Sequence, residues 1–234
     1  MNITHSTALV TGANRGIGLE LARQLLERGA TVYATARRPD TIDIPGVEKL
    51  PLDITDPGAV RAAAEAAQDV DLLINNAGIA TMQSLMTGDM DLIRAELDTH
   101  FYGTLAMSRA FAPILARNGG GAIVNVMSAL SFKVFPGSGA YAAAKTAEWA
   151  LTNSTRLELA GQGTRVLGVH LAATDTDMMA GWDIPKNDPA DVARAVLDAL
   201  EAGASELLVD DDTRAAKQHL AGPPEQMYPE LFVG

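Results

Sequence analysis

The chain has 234 residues, 47% of them hydrophobic, no cysteine and a formal net charge of −11. That length and apolar content can fill the core of one α/β unit, while the lack of cysteine excludes disulfides, thiolate chemistry and zinc–thiolate motifs. The acidic surplus disfavours nucleic acid as a partner, because phosphate contacts need clustered Lys and Arg. No apolar run reaches the ~20 residues that span a bilayer, and the first six residues lack the basic and apolar regions of a secretory signal, so the expectation is a cytoplasmic protein with no membrane partner.

Residues 7–11 form a short apolar run ending at Gly12, and residues 19–26 have a helical periodicity that stops at Gly29: strand, glycine turn, helix. Residues 31–36 and 47–52 read as the second and third strands. The alanine-rich stretch 57–69 reads as a helix, and 72–74 as a fully apolar strand. Residues 89–117 are expected as one long helix, broken at Asn118-Gly119-Gly120-Gly121 before the strand 122–127. A helix over 141–161, a strand over 165–171, a helix over 191–202 and a short strand over 206–209 complete the pattern. Apolar runs without alternation, separated by helices, mark a parallel sheet covered on both faces. With right-handed crossovers this is an α/β fold: one doubly wound, Rossmann-type domain over residues 1–234. Two stretches look irregular. Residues 175–189 follow the carboxyl end of a strand and form the candidate substrate lid; residues 221–234, with Pro223-Pro224, form a tail.

Tyr141 and Lys145 stand four apart on the 141–161 helix, on one face and one turn apart, so an ammonium can sit beside a phenol. A free tyrosine ionises near pH ~10, and a neighbouring cation favours the phenolate. Such a pair can protonate an alkoxide or deprotonate an alcohol. Ser128, at the end of the 122–127 strand, can converge with it over the carboxyl edge of the sheet.

Ser128, Tyr141 and Lys145, with Thr11-Gly12-Ala13-Asn14-Arg15-Gly16-Ile17-Gly18 and Asn75-Asn76-Ala77-Gly78, resemble the short-chain dehydrogenase/reductase family along nearly the whole chain. Glycines after a strand let the backbone turn tightly and bring phosphates against the next helix N-terminus. An acidic side chain after the second strand suits a free ribose 2′-hydroxyl, whereas arginine suits a 2′-phosphate. Here Ala36, Arg37 and Arg38 stand at that point, and Arg15 adds a cation within the glycine loop. The resemblance implies that Arg15 and Arg37 mark an NADPH-preferring member, so NADP(H) is the expected cofactor.

The resemblance further implies that Asp53 meets the adenine amine with Ile54 beside the ring, and that Asn75, Ala77 and Gly78 pass the ribose. Thr174 and Thr176 would meet the nicotinamide carboxamide, in a loop where this chain has Leu171-Ala172 in place of the family's Pro-Gly. Ser128 would stabilise the carbonyl oxygen and Tyr141 would give the proton. Lys145 would lower the Tyr141 pKa and hold the nicotinamide ribose. His100 replaces the helix asparagine that supports the family's proton relay; an imidazole can both donate and accept, so it either carries the relay or simply packs.

His5, His170 and His219 have no metal-ligand spacing, no metal is expected, and Asp210-Asp211-Asp212 reads as a solvated turn. Phe132, Phe135, Met82, Met178, Met179 and Trp182 fall on segments expected to flank an apolar substrate pocket. The expected function is an NADPH-dependent carbonyl reductase, or the matching alcohol dehydrogenase, with a small to medium, partly apolar ketone or alcohol as substrate. A non-catalytic NADP(H)-binding regulatory protein of the same fold is the alternative that His100 and Leu171-Ala172 leave open. The resemblance implies a homodimer or homotetramer.

Overall fold

The expected strands all form, and every pairing between them is parallel. In a computed structural model that describes residues 1–231, they are β1 (Thr7–Val10), β2 (Thr31–Ala36), β3 (Glu48–Pro51), β4 (Leu72–Asn75), β5 (Ala122–Val126), β6 (Arg165–His170) and β7 (Glu206–Leu208). Phe232, Val233 and Gly234, the end of the expected tail, lie outside the described residues. The sheet order is β3-β2-β1-β4-β5-β6-β7. The helices are α1 (Gly16–Glu27), α2 (Pro57–Ala66), α3 (Met90–Leu97), α4 (Thr104–Arg117), α5 (Gly139–Glu158), α6 (Pro189–Glu201), α7 (Asp211–His219) and α8 (Pro224–Met227).

β4 and β5 are buried at every position, which is why their sequences are apolar without alternation. Val10, Ile74 and Val124 enter one apolar layer with Leu21 and Leu25 of α1 and Val196 and Leu197 of α6. Leu9, Leu73 and Ile123 enter the opposite layer with Met107, Phe111 and Leu115 of α4. β1 lies between β2 and β4, so the chain order reverses there, and the carboxyl ends of β1 and β4 border a ligand crevice. No helix is long and apolar enough to cross a membrane among the described residues.

Three expectations need correction. The helix over 89–117 is not continuous: a π-helical turn, Asp98–Gly103, separates α3 from α4. The extra residue of a π turn leaves the apolar stripe intact on both sides, so periodicity does not expose it. Asp210-Asp211-Asp212 is not a turn but the N-cap and first two residues of α7: Asp211 and Asp212 are exposed, whereas Asp210 is drawn inward. Asp210 Oδ1 accepts the Thr213 N–H, while Oδ2 accepts from Ala172 N and Asn187 Nδ2, each at 2.8 Å. Burial works to raise the Asp210 pKa, but those donors hold it below the usual carboxylate range. The tail, finally, is not irregular over its described residues: after α8 comes a 3₁₀ turn, Pro229–Leu231, and between them the Tyr228 hydroxyl accepts the Val134 N–H at 3.0 Å.

Candidate active site

The glycine loop follows β1 directly, and its geometry depends on missing side chains. Gly12 and Gly16 take φ of +67° and +55°. A Cβ on Gly18 would stand 2.3 Å from Gly12 O and 2.4 Å from Asn76 Nδ2, so no side chain fits there without moving backbone. Asn76, which the sequence reading passed over, ties this loop to the end of β4: its Nδ2 donates to Thr11 O at 2.9 Å, and Thr11 Oγ1 accepts the N–H groups of Asn76 and Ala77. Asn14 Nδ2 donates to Thr41 Oγ1, joining the loop to the segment after β2. Ile17 packs partly buried against the α1 layer.

No side chain caps α1, whose N-cap residue is Arg15, whereas aspartates cap α2, α3, α6 and α7. The first turn of α1 therefore keeps free N–H groups beside a glycine cradle, which suits the pyrophosphate of a dinucleotide. Gly18→Ala is accordingly expected to abolish dinucleotide binding in a fluorescence titration, the clash lying in the backbone; retained affinity would mean that the loop adjusts.

Arg37 and Arg38 are exposed at the end of β2. Asp53 accepts from Thr55 N and Thr55 Oγ1 at 2.9 and 2.7 Å. Burial raises its pKa, and those bonds with the Arg37 charge bring it below the usual value. Ile54 is almost fully buried in the α4-side layer, so its side chain serves packing. Asn75 is buried as well, its Nδ2 donating to Asn125 Oδ1 at 2.9 Å across the sheet. Arg15 is not a free cation: it pairs with Asp177 at 3.1 Å.

The loop after β6 folds back over the glycine loop. Thr176 Cγ2 lies 3.0 Å from where a Cβ of Gly16 would be, and Thr174 is buried beneath it. Asp175 N donates to Asn187 O and Asn187 N to Ala173 O, closing the base of the 175–189 segment. Asp210, through Ala172 N, holds the stretch that lacks Pro-Gly.

Ser128, Tyr141 and Lys145 meet at the carboxyl end of β5. Ser128 Oγ accepts the Leu130 N–H at 3.1 Å, so its own O–H is the donor it offers to the Tyr141 oxygen or to a ligand between them. Lys145 Nζ donates to Val126 O at 3.0 Å and lies 5.8 Å from the Tyr141 ring centre. The π turn brings His100 edge-on to Tyr141, ring centres 5.3 Å apart. Lys145 does act to lower the Tyr141 pKa, but it does not set the net direction. Burial raises that pKa; Lys145 and a hydrogen bond with Ser128 pull it down, and Glu148 pushes it back up, for a net rise. Glu148 and Glu96, both buried, were invisible as site residues, since Glu148 at i+3 from Lys145 has the spacing of an ordinary surface ion pair.

Of the expected pocket residues, Phe135 and Trp182 pair at 6.3 Å between ring centres, and both they and Met178 are exposed. Met82, in the segment after β4, takes φ of 52°, the left-handed region that a methionine rarely adopts. Phe132 is no pocket wall: it is buried, stacked on His170 at 4.3 Å and set edge-on to Trp149.

A parallel sheet with a glycine cradle at its reversal point, and a Ser–Tyr–Lys set one strand away, defines a dinucleotide-dependent oxidoreductase. The short chain dehydrogenase family model matches residues 6–186, and the chain belongs to that family. A short chain dehydrogenase from Burkholderia cenocepacia, solved in complex with NADP, is 39% identical and superposes with a TM-score of 0.94, covering all of both chains. D-erythrulose reductase of Gallus gallus is 34% identical over 197 residues, 81% of this chain and 80% of its own. An uncharacterised oxidoreductase of Staphylococcus aureus is 31% identical over 212 residues, 85% of this chain and 92% of its own. The protein is an oxidoreductase acting on CH–OH/C=O groups with a nicotinamide cofactor.

Proposed function

We propose that this protein is an NADPH-dependent carbonyl reductase, running as an alcohol dehydrogenase in reverse, with a small to medium, partly apolar substrate. The observation that carries the reading is the meeting of Ser128, Tyr141 and Lys145 beside a glycine loop flanked by Arg15 and Arg37, with Ala36 where an acid would favour NADH. The bound cofactor supplies or takes up the hydride. Ser128, its oxygen engaged by Leu130 N, donates its O–H to the substrate oxygen and stabilises the charge that develops there. Tyr141 gives that oxygen its proton, and Lys145 steadies the phenolate left behind. Gly12, Asn14, Gly16, Ile17 and Gly18 would hold the phosphates, Arg15 and Arg37, with Arg38 beside them, would meet the 2′-phosphate, and Asp53 would accept from the adenine amine. Ile54 would lie beside the adenine ring, Asn75, Ala77 and Gly78 would pass the ribose, and Thr174 and Thr176 would meet the carboxamide.

Residues 175–189 are proposed as the substrate lid, supported by Trp182 meeting Phe135, and Tyr228 in the described part of the tail as a brace on the Val134 loop. Exposed Leu92, Tyr102 and Leu157 support association into a homodimer or homotetramer. A cytoplasmic location fits these features.

The test is cofactor oxidation with NADPH and NADH in parallel across ketones, aldehydes, diketones and quinones. Arg37→Asp is expected to lower kcat/KM for NADPH roughly 10- to 100-fold, the loss of a charge-assisted contact of about 1.5–3 kcal/mol, and to leave NADH turnover largely unchanged. Equal use of both cofactors by the wild type would sink the NADP(H) assignment.

A further inference from the structure

Lys145 is more fully built in than a lysine that only awaits a ligand. Of its three N–H donors, one goes to Val126 O and one to Glu148 Oε2 at 2.7 Å. Both side chains are nearly out of water, 6% and 3% exposed. A buried ammonium keeps its charge only with a partner in place. Glu148 is itself held from two sides. Its Oε1 lies 3.5 Å from Thr104 Oγ1 at the start of α4, and its Oε2, besides meeting Lys145, lies 3.9 Å from His100 Nδ1.

The tautomer of His100 follows from its other nitrogen. Nε2 sits 2.8 Å from Ile79 O, which can only accept, so Nε2 carries a hydrogen and Nδ1 is the atom that can gain or lose a proton. Nδ1 is buried without a hydrogen-bond partner among the described residues. Gly78 makes the room, since a Cβ there would stand 2.7 Å from His100 Cε1. On the far side Glu96, held by the Thr81 N–H and hydroxyl, brings its Oε2 to 3.3 Å from His100 Nε2. One carboxylate oxygen of Glu148 thus stands between the ammonium beside Tyr141 and the one open nitrogen of His100.

We propose that Glu148 is the positioning residue of this site: it holds the Lys145 ammonium charged and in place beside Tyr141, and through the same oxygen couples it to His100. The effect on turnover rests on the reductase reading; the effect on Lys145 does not. The groups that face the pair are Tyr141 on α5, Ser128 after β5, Glu96 on α3, His100 on the π turn and Thr104 on α4. Burial works to lower the Lys145 pKa, and Glu148 more than any other group lifts it back above the ordinary value.

Nuclear magnetic resonance of isotope-labelled lysine in the cofactor-free protein, with the Lys145 signal assigned through Lys145→Met, reads that charge directly. Glu148→Gln keeps the shape and removes the charge. It is expected to lower the Lys145 titration midpoint by at least about one pH unit, a tenfold change in its protonation equilibrium. With this, the alkaline limb of the kcat profile should move to lower pH by the same interval, so that kcat at pH values above the wild-type midpoint falls at least about tenfold while NADPH affinity changes less than about threefold. Glu148→Asp should restore part of each change. An unmoved Lys145 midpoint overturns the proposal whatever the activity does, and a moved midpoint with unchanged kcat and profile overturns the positioning role. If Glu148→Gln does not fold, the wild type decides: a Lys145 midpoint below those of Lys49 and Lys133 overturns the proposal, and one above them supports it. If the wild type reduces no carbonyl, the resonance titration still tests the link between Glu148 and Lys145, so that failure falls on the reductase reading alone.

Discussion

Tyr141→Phe is expected to lower kcat by roughly 10²- to 10⁴-fold, the range that general acid catalysis contributes, while NADPH binds with nearly unchanged affinity. The substitution deletes one oxygen from a helix position whose ring stays packed against His100, so folding and the cofactor cradle are left intact. Burial sets the protonation of that oxygen, with Lys145 and Ser128 pulling the pKa down and Glu148 and Glu96 pushing it up, and the net direction is upward. A phenol held above its usual pKa keeps its proton at neutral pH. Reduction, which needs the acid, should therefore run well near neutrality, and alcohol oxidation, which needs the phenolate, should quicken as pH rises. Steady-state rates in both directions, with a fluorescence titration of NADPH, check this. Retention of turnover within about tenfold would remove Tyr141 as the proton donor.

The second large effect concerns stability. His170 is wholly buried between Phe132, Trp149 and the carbonyl of Ser128, and burial pushes its pKa down to about 4. In the unfolded chain a histidine takes up a proton near pH ~6.5, so between that value and about 4 the unfolded state binds more protons than the folded one. The resulting stability is fully present above pH ~6.5 and is lost as pH falls toward about 4, a change of about 3 kcal/mol, or roughly 6–12 °C in Tm for a chain of this size. His170→Phe keeps an aromatic ring beside Phe132 and removes the titration. Its Tm should vary less with pH across that window than the wild type's, whatever constant offset the lost bond to Ser128 O adds. Parallel curves for the two proteins would show that His170 does not titrate on unfolding.

Much of the site was legible because its chemistry is bound to spacing along one element. Tyr141 and Lys145 share a helix face whatever the helix packs against, and Gly12, Gly16 and Gly18 follow β1 in an order that only a tight strand-to-helix turn explains. Other assignments failed where a side chain's direction depends on a distant partner. Phe132 was placed in the pocket by its position in the chain, yet it is drawn into a stack with His170 and Trp149, from two other elements. Asp210 was read as solvated because three acids in a row are usually exposed, whereas the N–H groups of Ala172 and Thr213 and the amide of Asn187 converge on it.

By itself, then, the order of residues determined the doubly wound sheet, the glycine cradle and the Ser128, Tyr141, Lys145 set, because strand burial, tight turns and helix faces are local or periodic properties. Only the tertiary structure decided the π turn that swings His100 against Tyr141, the Arg15–Asp177 pair across the crevice, and the burial of Glu96 beside His100 and of Glu148 beside Lys145. Those features arise where α3, the π turn, α4 and α5 pack together and exclude water. Whether a carboxylate is a solvated surface charge or the partner of a buried ammonium is decided by that exclusion, which spacing along the chain does not encode.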